Sequence, residues 1–564
     1  MKVVIVGGVA GGASAAARLR RLDESAEIVM LERTGYVSYA NCGLPYYVGG
    51  VIRDKGKLTL QTPASFSARF NVDARVRSEV VSIDRRAKTV RVRSTVDGSE
   101  YDEPYDFLIL SPGARAIRPD IPGIDDPRVM TLRTVEDTLA MRSIVERDSP
   151  KRAVVCGAGY IGLEVAENLA DMGIDVTVVQ RSDHVLPPLD RDMAADVHHV
   201  LRSHGIRLVL SDALEGFETV DGLKVCLRSG ERIDADLAVV ALGVVPDTGI
   251  ARDAGLDLGV KGAIVVDSHM RTSDPSVYAV GDAVQVSNFV SDVPSNIALA
   301  GPANRQGRIA ADNIAGGDSE YKGSLGSSVI KVFDMTVATT GLNERLAKDA
   351  GIGYDKVYTY SASHATYYPG ARNMSVKLLF DPVTGTVLGA QIVGYEGVDK
   401  RIDVIATAIH AGMTVDDLAE LDLSYAPPYS SAKDPVNYAG FVAMNVMSGL
   451  VSQYFWDELD GKVADPGVTV VDVRSPKEYA EGHLDGTVNI PVDEIRDRIS
   501  EIPEGRPVCL VCHSGLRSYI AARVLEQNGY ECNHLAGGFR LYSSVVRDIE
   551  VGCPGDHPCG IRSD

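Results

Sequence analysis

The chain has 564 residues, of which 45% are hydrophobic and 24% charged, a composition typical of a globular protein with roughly three to five domains. Its net charge of −20 disfavours non-specific binding of nucleic acid, which requires a basic surface. No run of 18 apolar residues occurs and MKVVIVGG lacks the features of a signal peptide, so we expect a cytoplasmic protein without a membrane span.

The first predicted element is a buried strand, KVVIV, followed by the turn GGVAGG, a small-residue helix from Ala13 to Leu22 and a second strand ending at Glu32. This order is typical of a βαβ dinucleotide-binding unit, although Val9 stands where the middle glycine is expected. The glycines would let the backbone approach a pyrophosphate, and the acidic residue would bind a ribose. The predicted nucleotide contacts are Gly7, Gly11, Gly12, Glu32 and Arg33.

A second unit of the same kind begins at Arg152, with the strand RAVVC, the complete motif GAGYIG, a helix and the strand DVTVVQ. Two such motifs, each between a strand and a helix, indicate two nucleotide domains, whereas tight turns without a ligand are the alternative. Two dinucleotide sites in one chain imply an electron relay from NAD(P)H to FAD. The predicted contacts of the second site are Gly157, Gly159, Gly162 and Arg181.

The end of the strand DVTVVQ bears on the choice of nicotinamide nucleotide. It ends in Gln180 and Arg181, without the acidic residue that would favour NADH. Arg181 would pair with the 2′-phosphate of NADPH, or it is a solvated surface residue. Both nucleotides therefore stay open.

Two later segments fit the first nucleotide site. SPGA follows the strand DFLIL, and VGDAV brings Asp282 to the end of a short strand, where it would meet the sugar-alcohol chain of FAD. The predicted contacts in these segments are Pro112, Gly113 and Asp282.

A lone cysteine lies in the segment SYANCGLPY. The next cysteine along the chain, Cys156, belongs to the second nucleotide unit, so Cys42 must exchange electrons with an external sulfur or be oxidised alone. A polar, glycine-flanked position near a flavin and helix dipoles would favour the thiolate. A buried, inert cysteine is the alternative.

GGVAGG, SYANCGLPY, SPGA, GAGYIG, VGDAV, SHATYYPG and SYAPPYSSAKDP together resemble the coenzyme A-disulfide reductase branch of the pyridine nucleotide–disulfide oxidoreductases, over residues 1–445. The resemblance implies FAD, NAD(P)H and a homodimer, with Cys42 as a redox nucleophile that rests as a mixed disulfide with coenzyme A. It also implies that tyrosines reach the sulfur from the partner subunit. The residues implied beside Cys42 are Ser38, Asn41, Tyr367, Tyr425 and, in the coenzyme A segment, Lys433.

One face of the first helix also fits an anionic ligand. Ser14, Arg18 and Arg21 are spaced i, i+4 and i+7, so they share that face and would grip the phosphates of coenzyme A. A solvated helix face is the alternative.

Flavin oxidases and peroxidases of the same fold cycle a single cysteine through sulfenic acid. The peroxidases carry a histidine in the first glycine turn, where this chain has Ala10. With the two tyrosines present, disulfide or persulfide chemistry is favoured. Oxidase or peroxidase activity and a noncatalytic redox sensor remain as alternatives.

The C-terminal part resembles a rhodanese domain. Asp472-Val473-Arg474 ends one strand, and Cys512 ends the apolar strand of VCLVCHSGLRS, where a loop opens a helix. Backbone N–H groups and the helix dipole there would stabilise a thiolate or persulfide. An inactive interaction fold is the alternative, and Cys509 is expected in the core. The predicted loop is Cys512, His513, Ser514, Gly515, Leu516 and Arg517. A role for His513 that is limited to capping this loop is an alternative.

The expected fold is α/β, with two Rossmann-like domains, an α+β dimerisation domain and an α/β rhodanese-like domain. The predicted function is reduction of persulfides, polysulfides and coenzyme A disulfide through Cys42, with sulfane sulfur delivered by Cys512. No metal site is predicted. Cys553 and Cys559 form a disordered end or a flexible dithiol arm. The predicted ranges are 1–115 and 250–323 (FAD), 116–249 (NAD(P)H), 324–445 (dimerisation), 446–456 (linker), 457–551 (rhodanese-like) and 552–564 (tail).

Overall fold

The computed structural model describes residues 1–549. The strands are β1 (Lys2–Val6), β2 (Glu27–Leu31), β3 (Asp73–Arg75), β4 (Ser78–Asp84), β5 (Thr89–Ser94), β6 (Glu100–Pro104), β7 (Phe107–Leu110), β8 (Ala114–Ala116), β9 (Val129–Met130), β10 (Arg152–Cys156), β11 (Asp175–Val179), β12 (Arg207–Val209), β13 (Leu214–Glu218), β14 (Leu223–Leu227), β15 (Arg232–Ala235), β16 (Leu237–Val240), β17 (Val244–Pro246), β18 (Ile264–Val265), β19 (Val277–Ala279), β20 (Val284–Ser287), β21 (Pro294–Ser295), β22 (Ser328–Val332), β23 (Met335–Gly341), β24 (Asp355–Ala362), β25 (Asn373–Phe380), β26 (Val387–Gly394), β27 (Gln453–Tyr454), β28 (Thr469–Asp472), β29 (Val488–Asn489), β30 (Val508–Val511) and β31 (Cys532–Leu535).

The α-helices are α1 (Ala10–Leu22), α2 (Leu44–Val48), α3 (Pro63–Phe70), α4 (Val135–Asp148), α5 (Tyr160–Asp171), α6 (Arg191–Ser203), α7 (Gly249–Asp253), α8 (Ala300–Ile314), α9 (Glu344–Asp349), α10 (Val398–His410), α11 (Val415–Glu420), α12 (Pro435–Met447), α13 (Leu459–Ala464), α14 (Pro476–Glu481), α15 (Leu516–Glu526) and α16 (Gly538–Ile549). Residues 1–182 and 205–326 form one compact unit, and residues 183–204 form a second with residues 327–549.

The first unit contains two parallel five-stranded sheets. One has the order β19-β7-β1-β2-β3 and the other β12-β11-β10-β16-β9. Their central strands are continuous apolar runs because both faces of a parallel sheet are covered, as in β1 and β10. Each sheet has its own antiparallel companion of three strands, β4-β5-β6 and β13-β14-β15. The two predicted Rossmann-like domains are confirmed.

The second unit contains an antiparallel sheet of order β22-β23-β26-β25-β24, with α10 packed on it. Lys377 on β25 is fully buried in this region and forms ion pairs with Asp190, Asp192 and Glu344. A buried ammonium is tolerated only with such partners, because desolvation of an unpaired charge is costly.

The same unit contains the parallel sheet β27-β31-β30-β28-β29, the predicted rhodanese-like fold. Side chains of β30 alternate between two apolar clusters, because successive residues of a strand point to opposite faces. Strand β27 pairs with β31 although it lies within the range predicted as a linker, 446–456. The sheet of the C-terminal domain therefore begins inside that range.

Helix α6 packs against α16 through a buried charge cluster. Asp548 of α16 is buried and accepts a hydrogen bond from His198 Nδ1 at 2.8 Å, and it forms ion pairs with Arg191 and Arg202. Residues 183–204, which include α6 and lie within the range 116–249 predicted as the NAD(P)H domain, belong to the second compact unit.

The first helix begins earlier than its sequence predicted, at Ala10 instead of Ala13. Gly11 and Gly12 are buried in its first turn, where a Cβ atom on Gly12 would lie 2.0 Å from the Gly7 carbonyl oxygen. The glycine turn is thus part of the helix, because only glycine allows this close approach.

Candidate active sites

The first glycine turn brings the predicted nucleotide contacts together at the end of β1. Gly7 has a φ of +95°, and Glu32, at the end of β2, is buried. The Glu32 carboxylate accepts hydrogen bonds from the backbone N–H groups of Gly8 and Thr34, both at 2.9 Å. These bonds hold an acidic group at the strand tip, where a ribose hydroxyl would meet it.

The turns after β7 and β19 lie beside the first glycine turn, because both strands belong to the β1 sheet. Ser111 Oγ accepts a hydrogen bond from Gly12 N at 3.1 Å, which ties the SPGA segment, with Pro112 and Gly113, to the turn. Asp282, after β19, accepts a hydrogen bond from Arg133 at 2.6 Å. Arg133 was missed in the sequence, because no motif or spacing marks it.

Arg33, predicted as a nucleotide contact, forms an ion pair with Asp247 at 2.7 Å. Its guanidinium is therefore engaged by the chain itself, although about half of the side chain stays exposed.

The second glycine turn repeats the geometry of the first. A Cβ atom on Gly162 would lie 1.9 Å from the Gly157 carbonyl oxygen, whereas one on Gly159 would meet nothing within 4 Å. Gln180 stands at the strand tip and accepts a hydrogen bond from Ala158 N at 3.1 Å, as Glu32 does from Gly8. Arg181 is exposed beside it.

Cys42 lies in a 3₁₀ turn, Asn41–Gly43, at the start of α2. Ser38, with a φ of +47°, donates its backbone N–H to the Gly8 carbonyl oxygen at 2.7 Å, which fixes the segment to the first glycine turn. With its amide oriented to suit its neighbours, Asn41 donates to the carbonyl oxygen of Arg133 and accepts from the Arg133 guanidinium.

On its other side the cysteine segment is fixed to the second nucleotide unit. Helix α2 packs against α5, the helix that begins at the second glycine turn. Tyr46 donates a hydrogen bond to Glu164 at 3.3 Å, and Gly49 leaves room for Asn168, because a Cβ atom there would lie 2.1 Å from Asn168 Oδ1. The Cys42 segment is therefore in contact with both the first glycine turn and helix α5.

The electrostatic surroundings of Cys42 differ from the expectation that they favour its thiolate. The residue is exposed, but desolvation raises the pKa of the thiol, and the charge of Glu164 raises it further. The Arg133 guanidinium acts in the opposite direction. Burial in turn raises the pKa of Glu164 to about 7. The side chains around Cys42 thus favour the protonated thiol overall.

In the second unit, the structure brings the two predicted tyrosines together. The hydroxyl oxygens of Tyr367 and Tyr425 lie 2.5 Å apart, with 74% and 46% of the residues exposed. This hydrogen bond raises the pKa of Tyr367. Lys433, further along the same segment, is exposed.

A buried arginine, which the sequence did not reveal, holds the loops that carry these tyrosines. Arg401 forms an ion pair with Asp434 at 2.9 Å and donates to the carbonyl oxygens of Ser363 and Tyr429. One side chain therefore links the loop before Tyr367 with the loop after Tyr425.

The predicted anion-binding face of α1 is largely engaged within the chain. Ser14 Oγ donates to Asn304 at 2.7 Å, and Arg18 forms an ion pair with Asp312 at 2.5 Å. Arg21 is exposed. Within residues 1–549, Arg21 forms no such ion pair, whereas Arg18 does.

The C-terminal domain builds an anion-stabilising loop around Cys512. Cys512 follows β30 and is buried, and its Sγ accepts a hydrogen bond from Gly515 N at 3.0 Å. Gly515 has a φ of +108°, a conformation that directs its N–H back to the sulfur. Arg517 forms a bidentate ion pair with Glu478 at 2.6 and 2.8 Å, and this pair holds the pKa of Glu478 well below its usual range.

The other loop residues frame this site. The carbonyl oxygen of His513 accepts a hydrogen bond from Arg540 N at 2.9 Å, Ser514 is half-buried and Leu516 is exposed. Burial lowers the pKa of the His513 imidazole. Cys509 is buried in the cluster on the other face of the sheet, and burial raises the pKa of its thiol to about 11.

Within residues 1–549, His, Cys, Asp and Glu side chains form no group of three or more that could hold a metal ion. No helix of this described part is long and apolar enough to span a membrane. Cys553 and Cys559 lie outside the described residues.

Known families match three stretches of the chain. A family described as pyridine nucleotide-disulphide oxidoreductase matches residues 1–307, and its dimerisation domain matches residues 327–435. A rhodanese-like domain matches residues 455–544.

Individual relatives match over most of their lengths. The solved structure of reduced CoADR-RHD from Bacillus anthracis is 50% identical with a TM-score of 0.95, and the match covers 97% of this chain and 98% of that one. An NAD-dependent persulfide reductase from A. fulgidus is 40% identical with a TM-score of 0.90, over 96% of this chain and all of that one. The coenzyme A disulfide reductase of Staphylococcus haemolyticus is 35% identical over 446 residues, which is 79% of this chain and all of that protein.

Proposed function

Because the chain belongs to the pyridine nucleotide-disulphide oxidoreductase family and carries a rhodanese-like domain, we propose that it reduces persulfides and polysulfides with electrons from NAD(P)H. Coenzyme A persulfide is the substrate class we favour, and coenzyme A disulfide is a second substrate. The observation that carries this proposal is the position of the Cys42 segment, which is hydrogen-bonded through Ser38 to the first glycine turn and through Tyr46 to the helix that follows the second.

The residues of the first unit fit the nucleotides that the family implies. Each glycine turn leads into the N-terminus of a helix, which favours a pyrophosphate, and a Cβ atom on Gly159 of the second turn would meet nothing within 4 Å, so that side is open to a ligand. Gly7, Gly11, Gly12 and Glu32, with Pro112, Gly113 and Asp282, would hold FAD, and Gly157, Gly159, Gly162 and Arg181 would hold NAD(P)H. When bound, FAD accepts a hydride from the nicotinamide and supplies two electrons to the sulfur site.

Cys42 acts as the nucleophile in this proposal. Its thiolate attacks the inner sulfur of a persulfide R–S–SH, a Cys42–S–S–R bond forms, and hydrosulfide leaves with the electron pair of the broken S–S bond. Two electrons then reduce the mixed disulfide, releasing RS⁻ and restoring the thiolate. The sum is reduction of R–S–SH by two electrons and two protons to R–SH and H₂S.

Coenzyme A would be held by residues around this turn and by the partner of a homodimer. Ser38 and Asn41 flank Cys42, and Arg21 is exposed on α1. Tyr367 and Tyr425 would reach the sulfur from the partner subunit, with Lys433 on the same segment. The match to a dimerisation domain supports this arrangement.

The rhodanese-like domain would collect the sulfur. Cys512, with the Gly515 N–H directed at its Sγ, would accept a sulfane sulfur from a donor and hold it as a persulfide. It would then transfer this sulfur to coenzyme A or toward Cys42.

The test is Cys42→Ser in the full chain. We expect NAD(P)H-dependent sulfide release from coenzyme A persulfide, and reduction of coenzyme A disulfide, to fall at least about a hundredfold, because a serine hydroxyl is a far weaker nucleophile and cannot form a disulfide. The flavin absorbance and the melting temperature should match those of the wild type. Cys226→Ser, which changes a thiol on β14, is the matched control.

Substantial turnover by Cys42→Ser would overturn the assignment. Rapid oxygen consumption by the wild type with NAD(P)H alone would favour the oxidase or peroxidase alternative. Negligible turnover with every sulfur substrate would favour the noncatalytic redox sensor.

A further inference from the structure

A buried chain of polar groups lies behind the sulfur of the rhodanese-like domain. Ser518 Oγ is 3.2 Å from Cys512 Sγ and 3.1 Å from Nδ1 of His534. The exposed fractions of Cys512, Ser518 and His534 are 1%, 0% and 5%. Water is therefore largely excluded from the contacts of the serine hydroxyl. The neighbouring groups of the protein determine which acceptor receives its proton.

The Ser518 hydroxyl has one proton and more than one acceptor within reach. Its oxygen lies 2.9 Å from the carbonyl oxygen of Gly515, the same residue whose N–H donates to Cys512 Sγ. A proton directed at Gly515 O leaves the sulfur with one hydrogen bond, and a proton directed at Sγ gives it two. The direction of this hydroxyl therefore affects the stability of a negative charge on the sulfur.

His534 is held firmly at the third position of the chain. It lies on β31, opposite Leu510 of β30, and its backbone N–H donates to the carbonyl oxygen of Ser452 at 3.0 Å. Burial lowers the pKa of its imidazole to about 4, so the ring is neutral near neutral pH and carries one N–H. An unprotonated Nδ1 would attract the serine proton, whereas an Nδ1–H donates to the serine oxygen instead.

We propose that His534 is a positioning residue of the sulfur-transfer site, which as the Nδ1–H tautomer donates to Ser518 Oγ and so directs the serine hydroxyl proton to the anionic sulfur of Cys512. This inference deepens the sulfurtransferase role proposed above and rests on it. His534 does not touch the sulfur and acts through Ser518, while its imidazole also forms a hydrogen bond with the backbone of Gly515 that opposes the lowering of its pKa.

The arrangement matches the charge movement during transfer. The Cys512 thiolate attacks the outer sulfur of a donor R–S–S⁻, a new S–S bond forms, and R–S⁻ leaves with the electron pair of the broken bond. The negative charge on Cys512 then resides on the added outer sulfur. The hydroxyl of Ser518 is released from Sγ and can turn to Gly515 O, so no proton is consumed.

Other charged and titratable groups face the same site and remain unchanged in the experiment below. Asp472 pairs with Arg474 at 2.6 Å, and Glu478 pairs with Arg517, so these four contribute a steady field. Tyr454 also interacts with Cys512, and Arg540 interacts with the neighbouring His513.

The test compares two amides at one position in the full chain. Asn at position 534 places its side-chain nitrogen where Nδ1 stands, whereas Gln displaces it by one methylene. The readout is the midpoint pH for iodoacetamide alkylation of Cys512, followed by mass spectrometry of the peptide that contains it. We expect H534Q to raise this midpoint by about one pH unit, the worth of one hydrogen bond to a charged group, and H534N to retain the wild-type value.

Two further variants complete the experiment. Ser518→Ala should raise the midpoint as H534Q does, and the double variant should add little, because both changes remove one connected interaction. His483→Asn, at an exposed histidine of the same domain, is the matched control and should change nothing.

The result that would overturn the proposal is an unchanged midpoint in H534Q, or equal shifts in H534N and H534Q. Absence of sulfur transfer from thiosulfate in the wild type would contradict the proposed function, on which this inference rests, while the alkylation readout would still report the hydrogen-bond chain. Normal transfer with an unchanged midpoint in H534Q would contradict the role of His534 alone.

Discussion

At the scale of single residues, the position of Cys42 suits the proposed nucleophile, but the neighbouring side chains do not favour its thiolate. Desolvation and the charge of Glu164 raise the pKa of the thiol, and Arg133 opposes them. A protonated thiol is a poor nucleophile, so the proposed chemistry requires a group that accepts the thiol proton or stabilises the thiolate. Glu164 has a pKa raised to about 7, so it changes charge within the physiological range and modulates the thiol with pH.

The charge of Glu164 can be tested directly. Glu164→Gln removes a negative charge that raises the pKa of Cys42, so the midpoint pH for alkylation of Cys42 should fall by roughly a few tenths to one unit. The difference in the rate of Cys42 alkylation between the variant and the wild type should be largest above pH 7, where Glu164 is ionised. It should vanish below pH 7, where Glu164 is protonated.

Asp171→Asn is the matched control for this prediction, because it makes the same change of charge at the exposed C-terminal end of the same helix, α5. An increase of the midpoint in Glu164→Gln, or an equal decrease in both variants, would contradict the electrostatic role of Glu164.

At the scale of elements, the two glycine turns use their glycines for two different purposes. Gly12 and Gly162 allow the helix to approach the preceding turn, since a Cβ atom on either would lie about 2.0 Å or less from a carbonyl oxygen. Gly159 has no such constraint and faces open space. Packing therefore does not explain glycine at this position, whereas the proposed approach of a nucleotide would.

Substitutions at the second turn should separate these purposes. Gly162→Ala should lower the melting temperature, because the new methyl group collides with Gly157 O. The rate of NAD(P)H oxidation should fall as a consequence of this lower stability. Gly159→Ala should leave the melting temperature within about 2 °C of the wild type and raise the KM for NAD(P)H at least about tenfold.

Gly249→Ala, at another glycine that faces open space, is the control and should alter neither quantity. A Gly159→Ala protein with an unchanged KM would show that the turn does not bind the nucleotide as proposed.

At the scale of the whole molecule, the proposed site combines residues that lie far apart in the chain. Cys42 belongs to the first compact unit, and the hydrogen-bonded pair of Tyr367 and Tyr425 belongs to the second. Phenol hydroxyls near a leaving thiolate would stabilise it by hydrogen bonding. In the proposed homodimer, these hydroxyls act on the cysteine of the partner subunit.

Mixed dimers test this arrangement. We expect low activity from homodimers of Cys42→Ser subunits and from homodimers of Tyr367→Phe/Tyr425→Phe subunits. A heterodimer of the two should regain one wild-type site, and therefore roughly half of the wild-type activity with coenzyme A disulfide. If verified heterodimers do not show this recovery, the tyrosines either act on the cysteine of their own subunit or take no part in the reaction.

Features that depend on short stretches of chain could be predicted from the residues alone. The run of apolar residues in β1, the strand–turn–helix order around each glycine motif and the loop from Cys512 to Arg517 are local patterns, because backbone geometry and helix termini act within a few residues. These patterns predicted the α/β fold class, which the structure confirms, and they located the cysteine turn and both glycine turns.

Contacts between side chains that are distant in the chain became known only from the fold. Arg133 meets Asp282 and Asn41, Glu164 meets Tyr46, and His534 meets Ser518, although none of these contacts follows from a motif. The tertiary structure also paired Arg18 with Asp312 and showed that the neighbours of Cys42 oppose its ionisation. The physical reason is that charge–charge interactions, desolvation and hydrogen bonds between elements depend on distance in space, and a sequence without its fold specifies only distance along the chain.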